Sequence, residues 1–239
     1  GRYDAAATPS TGSDTLFDSG SVLELRRDWG IGVLTGFARL NGRAVGYMAN
    51  DPKHLGGAID SDGAAKAAHF MMLCDAFGLA VISLCDTPGF MVGPPSEITG
   101  AVRHGSRMFT VGASLSVPVL MVVLRKAYGL GAQAMGAGSL HAPALTIAWP
   151  TAEFGGMGLE GAVRLGYAKE LAACATEEAR QALFDELVAK SYARGKAVSI
   201  AAYLEIDAVI DPADTRDWLT RALSALPRVA PSGRMVDNW

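Results

Sequence analysis

Apolar runs alternate with helix-forming segments through residues 44–149, and this alternation constrains the fold more than any other feature. The apolar runs are "AVGYMA", "LAVISLC", "VPVLMVVL" and "LTIAW", and helices are predicted over residues 61–78 and 96–115. Strands that are apolar along their whole length are typical of a parallel sheet covered by helices on both faces. The sequence therefore predicts one α/β domain over residues 21–239, with right-handed crossover connections.

Turn and capping residues define the segments outside this alternation. The pair Asn41 and Gly42, between two short strand-like runs, indicates a β-hairpin. Helices are predicted over residues 176–195 and 211–226, because each begins at a residue type that caps helices. Residues 1–20 are rich in Ser, Thr, Gly and Pro. We expect an arm there, flexible or wrapped on a neighbour, with little regular structure.

Composition excludes several classes of partner. Acids and bases are interspersed and give a net charge of -3, so no basic block is available to neutralise a row of phosphates. No apolar stretch approaches the roughly 20 residues of a membrane span. Cys74, Cys85 and Cys174 are far apart, in apolar surroundings and without the spacing of metal ligands, which favours reduced core thiols. We therefore expect a cytoplasmic protein with no nucleic-acid, membrane or metal partner.

Glycine-containing segments follow three of the predicted strands. They are "NDPKHLGGAID" (50–60), "CDTPGFMVG" (85–93) and "RKAYGLGAQAMG" (125–136). In a parallel α/β sheet, ligands bind beyond the carboxyl ends of the strands. We therefore expect the functional site where these three strand exits lie.

The third exit contains a weak match to a dinucleotide-binding turn. Gly129, Gly131 and Ala134 have the G-x-G-x-x-G/A spacing, and Glu153 follows where an acid for the ribose is expected. However, two strand–helix units precede the match, and "RKAY" separates the glycines from the apolar run. Pro150 also interrupts the segment that would deliver the acid. We therefore disfavour nicotinamide or flavin binding.

The second interpretation of these exits is an oxyanion hole. The first amides of a helix are unpaired donors at the positive end of the helix dipole, and a glycine allows close backbone approach. If Gly89 and Phe90 leave one strand and Leu130 and Gly131 its neighbour, one amide from each exit can converge on a single oxygen. The alternative is that the glycines only permit tight turns.

Four motifs carry a family resemblance that runs from about Ser21 to Trp218. They are "GRAVGYMANDPKHLGGAID", "FMMLCDAFGLAVISLCDTPGFMVG", "VLRKAYGLGAQAMG" and "IAWPTAEFGGMGLEGAV". Together they resemble the C-terminal half of the carboxyltransferase component of biotin-dependent acyl-CoA carboxylases of the propionyl-CoA and methylcrotonyl-CoA type. The resemblance implies a crotonase-like fold. It also implies transfer of a carboxyl group from carboxybiotin on a carrier protein to the α-carbon of an acyl-CoA.

The resemblance also implies a role for individual residues. Leu130 and Gly131 match the amides that hold the biotin ureido oxygen, and together with Gly89 and Phe90 from the second exit they are the predicted catalytic donors to the anion that forms there. The biotin enolate would then take the α-proton from the acyl-CoA, so no side-chain base is required. The remaining predicted biotin contacts are Gly56, Gly57, Ala58, Thr87, Pro88, Tyr128 and Gly129. The predicted acyl-CoA contacts are Gln133, Arg125 and Lys126. The residue matching Gln133 differs among family members, so Gln here leaves the acyl preference open.

The family's N-terminal half, which supplies most of the CoA site, is missing from this sequence. Since the sequence begins at Gly1 rather than Met, we expect either a separate subunit or a domain of a longer polypeptide. The implied partners are the complementary half, a biotin carboxyl carrier protein and biotin carboxylase, in a homo- or hetero-oligomer. Two alternatives stay open: an enoyl-CoA hydratase or isomerase that uses Glu153 and Glu160, and a non-catalytic scaffold subunit.

Overall fold

A mixed sheet of eight strands forms the centre of the protein, for which the computed structural model describes residues 16–233. The strands are β1 (Leu23–Leu25), β2 (Val33–Leu40), β3 (Arg43–Asn50), β4 (Val81–Thr87), β5 (Val119–Tyr128), β6 (Leu145–Ala148), β7 (Glu153–Gly155) and β8 (Ala208–Val209). Their order is β1-β2-β3-β4-β5-β6-β8, and β7 pairs with β5 beyond the end of β6. The first three strands are antiparallel, and from β3 onwards every pair is parallel.

The predicted hairpin at residues 41–42 is confirmed. Asn41 and Gly42 join β2 to β3 and both have positive φ angles, 50° and 76°. Two consecutive positive φ angles define the type I′ turn, whose twist matches that of the strands it connects. The hairpin therefore leads into β3, the first strand with a glycine-containing exit, which pairs with β4 on its other side.

Nine helices lie in the described part of the chain. They are α1 (Ser61–Ala76), α2 (Pro94–Ile98), α3 (Ala101–Gly112), α4 (Gly129–Met135), α5 (Leu159–Gly166), α6 (Ala168–Ala172), α7 (Glu177–Gly195), α8 (Ala197–Ala202) and α9 (Thr215–Ala225). The single helix predicted over residues 96–115 is wrong. Gly100 has a left-handed conformation (φ 74°) that ends α2 and begins α3.

Two apolar clusters, one on each face of the sheet, form the core. Met48, Met121 and the helices α1, α3 and α4 contribute to one cluster, and Tyr47, Leu120 and α9 to the other. Every residue of β4 is buried. The sheet is therefore covered on both faces, as the continuous apolar strands predicted.

The beginning of the described chain is part of this core. Leu16 and Phe17 are almost fully buried and belong to the second cluster. Most of the predicted arm, residues 1–15, lies outside the described residues. No helix among residues 16–233 is long and apolar enough to cross a membrane.

The three cysteines are free thiols, but they are not all in the core. Cys74 and Cys85 are buried, and burial raises the pKa of both thiols far above the ordinary range. The prediction was wrong for Cys174, which is only half-buried and donates to the carbonyl of Glu170 at 3.5 Å. It lies in the turn between the short helix α6 and the polar helix α7, where no sheet covers it.

Candidate functional site

The first two glycine-containing exits are joined by main-chain hydrogen bonds. Ile59 forms a parallel bridge with Phe90: the Ile59 amide donates to the Gly89 carbonyl at 3.0 Å, and the Met91 amide donates to the Ile59 carbonyl at 2.8 Å. This bridge extends the pairing of neighbouring strands beyond the end of β4. It therefore fixes the segment after β3 against the segment after β4.

The second and third exits are in direct backbone contact. A Cβ atom added to Gly131 would lie 2.8 Å from the Cα and carbonyl carbon of Gly89, and 3.1 Å from the amide nitrogen of Phe90. Real Cβ atoms do not come this close to a backbone, so only glycine allows α4 to begin here. The backbones of these two exits are therefore in contact.

The contact brings together two sets of backbone donors, which we call the amide pocket (Phe90, Leu130 and Gly131). Leu130 and Gly131 lie in the first turn of α4, whose cap Tyr128 makes no side-chain cap hydrogen bond. Amides in the first turn have no partner within the helix and lie at its positive end.

Only one of the two amides at the second exit is available to a ligand. The Gly89 amide already donates to Thr87 Oγ1 at 3.1 Å. The Phe90 amide has no acceptor among residues 16–233, and its neighbours Gly89 and Met91 make the bonds to Ile59. Because successive amides of an extended segment point to opposite sides, the Phe90 N–H points away from Ile59, towards Gly131.

The predicted biotin-binding residues of the first exit contact the other two exits. Gly57 (φ 93°) packs its Cα against the carbonyl of Asp86, where a side chain would clash. Lys126 donates from its Nζ to the carbonyl of Gly56. Ala58 and Thr87 are buried, Gly129 and Pro88 are half-buried, and all lie on the three exits.

Four exposed apolar side chains lie on the segment after β4 and on α4, the two segments that form the pocket. Val92, Ile98, Val102 and Leu130 are 83%, 88%, 81% and 62% exposed. The helices α3 and α4 that carry two of them pack against each other. We call these four side chains the apolar rim.

Two predicted CoA contacts already have partners in this chain. The Arg125 guanidinium binds the Asp86 carboxylate, with Nη2 3.1 Å from Oδ2 and Nε 3.3 Å from Oδ1. Lys126 binds Gly56, as described above. Both cations therefore lie at the third exit, and the predicted contact with CoA stays a prediction.

Gln133 lies on α4, two residues after Gly131. Its exposed side chain borders a cavity of about 390 Å³. Glu205, on the same cavity, forms an ion pair with His141 at 3.1 Å. Most of the lining is apolar, and it consists of Ala127, Gly129, Ala132, Gln133, Leu140, Phe154, Gly155, Gly156, Ile200, Tyr203 and Glu205.

The two glutamates of the hydratase alternative each bind a tyrosine. The Tyr128 hydroxyl donates to Glu153 Oε2 at 2.9 Å, and the Tyr192 hydroxyl donates to Glu160 Oε1 at 2.7 Å. Burial, and next the bond to Glu153, raise the pKa of Tyr128, whereas the bond to Glu160 raises the pKa of Tyr192 to about 12. The same bond lowers the pKa of Glu160. We call these four residues the glutamate–tyrosine cluster.

A family model described as the carboxyl transferase domain matches residues 13–230. The chain belongs to the carboxyl transferase domain family. It is 40% identical over 216 residues to the acetyl-/propionyl-coenzyme A carboxylase beta6 subunit of Mycobacterium tuberculosis, a match that covers 90% of this chain and 44% of that protein. It is 39% identical over 208 residues to the methylmalonyl-CoA carboxyltransferase 12S subunit of Propionibacterium freudenreichii, covering 87% and 39%.

Solved structures of carboxylases resemble this carboxyl transferase domain closely. A single-chain, multi-domain long-chain acyl-CoA carboxylase is 57% identical with a TM-score of 0.77, over 86% of this chain and 20% of that chain. The beta subunit of Pseudomonas aeruginosa geranyl-CoA carboxylase is 29% identical with a TM-score of 0.80, over 97% and 44%. The fold is thus crotonase-like, as the resemblance implied. The chain spans less than half the length of the curated relatives it matches.

The prediction that "RKAY" separates the third strand from its glycines is wrong for this carboxyl transferase domain. The strand does not end before "RKAY": β5 continues to Tyr128, and Gly129 directly begins α4. Charged side chains at positions 125 and 126 concealed this continuation, because both bind groups of the other two exits. Pro150, as expected, lies in the turn between β6 and β7.

Sequence reasoning missed two buried polar residues near the pocket. Asp86 accepts hydrogen bonds from the third exit, and Asn50 Oδ1 accepts from the Asp86 amide at 3.1 Å. The only available signal was a charged residue at the end of the apolar run "LAVISLCD". Among the described residues, no group of three His, Cys, Asp or Glu is placed to hold a metal ion.

Proposed function

We propose that this chain is the biotin-side half of an acyl-CoA carboxyltransferase. The observation that carries the proposal is the backbone contact of Gly131 with Gly89 and Phe90, which brings the unpartnered Phe90 amide next to the first turn of α4. The family membership supports the reaction class, because the relatives are named carboxylase and carboxyltransferase subunits.

The donor set of the amide pocket fits a ureido oxygen. Carboxybiotin, when bound, supplies the carboxyl group and leaves negative charge on that oxygen. The Phe90 and Gly131 amides are fixed by the β4–β5 pairing and the start of α4, so they are oriented before the charge develops. They stabilise an anion more than a neutral carbonyl, which lowers the barrier rather than only increasing binding.

The chain's own side chains orient the pocket rather than transfer protons. Thr87 Oγ1 accepts a hydrogen bond from the Gly89 amide, and the Ile59 amide donates to the Gly89 carbonyl. The two peptide groups on either side of Gly89 are therefore each held by one hydrogen bond, and the second of them carries the Phe90 N–H. Gly57 and Ala58 close the pocket on the side of β3, where the biotin rings would pack.

The cavity beside Gln133 is the proposed site of the acyl chain. Its lining is mainly apolar, and it adjoins the helix whose first turn forms the amide pocket. The 57% identical structure is a long-chain acyl-CoA carboxylase, and a neutral Gln in this position suits an uncharged alkyl chain. We therefore propose a medium- or long-chain acyl-CoA as the substrate.

The complementary half is the proposed main partner. It would supply the thioester side of the site, and its surface would cover the apolar rim, since large exposed apolar patches mark interaction sites. Arg125 and Lys126 are the proposed contacts for CoA phosphates on this side. A biotin carboxyl carrier protein and biotin carboxylase complete the proposed assembly.

No observation favours the hydratase or the scaffold alternative. A hydratase needs an acid and a base that can exchange protons with a substrate. Here Glu153 and Glu160 each already accept a hydrogen bond from a tyrosine. A scaffold would not require a glycine at position 131, where only the absence of a side chain leaves the amides accessible.

The direct test assembles this chain with its complementary half and measures two reactions. We expect carboxyl transfer from a carboxylated acyl-CoA to free biotin in the assembly, and none with this chain alone. We expect no loss of enoyl-CoA absorbance in either sample. Hydration without transfer would support the alternative enzyme, and an assembled protein inactive in both assays would contradict the proposed function.

A further inference from the structure

The pairing of β4 with β5 shifts register just before the amide pocket. Cys85 lies opposite Val123, whereas Thr87, two residues later, lies opposite Ala127, four residues later. The strand β5 therefore contains a bulge of two extra residues at this point. Two residues correspond to about 6.6 Å along a strand, so the bulge decides where α4 begins relative to Phe90.

The Asp86 carboxylate lies opposite this bulge and binds it. Its Oδ1 accepts from the Lys126 amide at 3.2 Å and from Arg125 Nε at 3.3 Å, and its Oδ2 accepts from Arg125 Nη2 at 3.1 Å. The carboxylate is only 8% exposed, and Arg125 is 55% exposed. The bulge amide, which cannot join the regular ladder, is thus paired with a buried charge.

The main chain of Asp86 contacts the other exits. Its amide donates to Asn50 Oδ1 at 3.1 Å, at the end of β3. Its carbonyl lies against the Cα of Gly57, and the residue after it, Thr87, holds the Gly89 amide. Asp86 is therefore bonded to, or packed against, all three segments that form the site.

We infer that Asp86 is a positioning residue that sets the register of the Gly131 amide against the Phe90 amide. The inference rests on the proposed function for its catalytic consequence. Arg125 compensates the buried carboxylate, so that the nearby pocket does not face an unpaired negative charge that would oppose an oxyanion. Because Gly131 and Gly89 are in van der Waals contact, a small displacement of β5 would separate the two donors.

Asp75, in α1, provides a matched control, because its carboxylate binds amides at the opposite end of β5. It is 4% exposed, compared with 6% for Asp86, and its Oδ1 accepts from the amides of Ser116 and Val117 at 2.6 and 3.2 Å, just before β5. Both aspartates thus use a buried carboxylate to bind main-chain amides at one end of β5. Only Asp86 does so beside the pocket.

The experiment compares D86A and D86N with D75A and D75N in the assembled carboxyltransferase. We expect D86A to lower kcat about 100-fold at an unchanged KM for biotin, because a displacement of about 1 Å can cost that much. Since an amide oxygen can still accept from Lys126, D86N should recover part of the rate. The Asp75 variants should lose thermal stability but keep kcat per folded molecule.

A second measurement tests the positioning without any assay of activity. Hydrogen exchange of the amides in residues 126–131, followed by mass spectrometry, should accelerate in D86A and not in D75A. Equal exchange and equal kcat in the two series would overturn the inference while the wild type still transfers carboxyl groups. If the wild-type assembly is inactive, the proposed function fails, and the exchange measurement alone decides whether Asp86 positions the third exit.

Discussion

The amide pocket and the glutamate–tyrosine cluster both adjoin the end of β5, at Tyr128, and differ in which polar groups they leave available for chemistry. The pocket contains no acidic or basic side chain, but the Phe90 amide has no acceptor among the described residues and Gly131 lies in the first turn of α4. The cluster contains two carboxylates and two phenols, but Glu153 and Glu160 each already accept a hydrogen bond. Residue types alone would assign the chemistry to the cluster, and hydrogen-bond pairing assigns it to the pocket.

The difference follows from where each region lies on the sheet. The pocket is at the carboxyl edge, where a helix begins directly after β5 and its first amides are necessarily unpaired. The cluster is at the side of β5, where β7 and the helix α7 pack and bring tyrosines to the glutamates. Of these two regions, the cluster pairs its donors with its own carboxylates, whereas the pocket leaves its donors for an oxygen of a ligand.

The largest expected effect comes from closing the pocket with Gly131→Ala. The new Cβ would lie 2.8 Å from the Gly89 backbone, so α4 must move away from Phe90. We expect carboxyl transfer by the assembly to fall at least 100-fold, since losing one oxyanion donor costs about 3 kcal/mol. Steady-state kinetics at saturating biotin measures this loss.

Gly166→Ala is the control for this substitution, because nothing lies within 4 Å of a Cβ added at Gly166. This variant should keep the wild-type rate. If Gly131→Ala also keeps it, the main-chain amides are not the catalytic donors, and the comparison between pocket and cluster loses its basis.

The sequence predicted the strand exits at this pocket because each exit is specified by residues that are close together in the chain. The apolar strands, the hairpin at Asn41 and Gly42 and the glycines at the three exits each correspond to a local backbone requirement, and they were predicted apart from the end of β5. The sequence did not predict the bulge of β5, because strand register depends on a contact between Asp86 and Lys126, which are far apart in the chain. A charged pair at positions 125 and 126 then made the strand look shorter than it is.

The glutamate–tyrosine cluster was unpredictable for the same reason. Tyr192 is 32 residues from Glu160, on a helix whose pattern of polar residues does not indicate which side packs. Hydrogen bonds between distant side chains depend on the tertiary structure, and no spacing rule identifies them. The helix break at Gly100 was different: the glycine was visible, but an isolated glycine in a helical pattern is often tolerated.

An intermediate effect is expected from Gln133→Asp, which tests the acyl side of the pocket. A carboxylate at the edge of the mainly apolar cavity would face Glu205 and lose free energy on contact with an alkyl chain. We expect kcat/KM for a long-chain acyl-CoA to fall about 10-fold relative to a short-chain one, within the range of single pocket contacts.

Gln181→Asp makes the same change on the exposed face of α7 and should leave the ratio of the two substrates unchanged. Competition between two acyl-CoA substrates measures that ratio directly. An unchanged profile in Gln133→Asp would remove this residue and its cavity from the acyl site.

A small effect is expected from Glu160→Gln, which tests the cluster itself. If Glu160 only binds Tyr192, transfer should stay within about threefold of wild type, because an amide can still accept that hydrogen bond. A catalytic acid or base would instead cost a factor of about 100 or more. Transfer and enoyl-CoA hydration, measured on the same preparation, distinguish these outcomes, and a loss of that larger size would move the chemistry to the cluster.

The smallest effect is expected on stability, from Tyr192→Phe as a function of pH. The hydrogen bond lowers the pKa of Glu160, so its contribution is present above the ordinary glutamate value and is lost as the pH falls through the folded value. It raises the pKa of Tyr192 to about 12, so the same bond is also lost as the pH rises through that value. Both groups are largely exposed, so we expect less than about 1 kcal/mol. Calorimetry should show a Tm below wild type at pH 7, and the difference should vanish once the pH is below the lowered pKa of Glu160. A difference that persists there would mean that the two residues stabilise the fold by packing, and the cluster would then have no electrostatic role to contrast with the pocket.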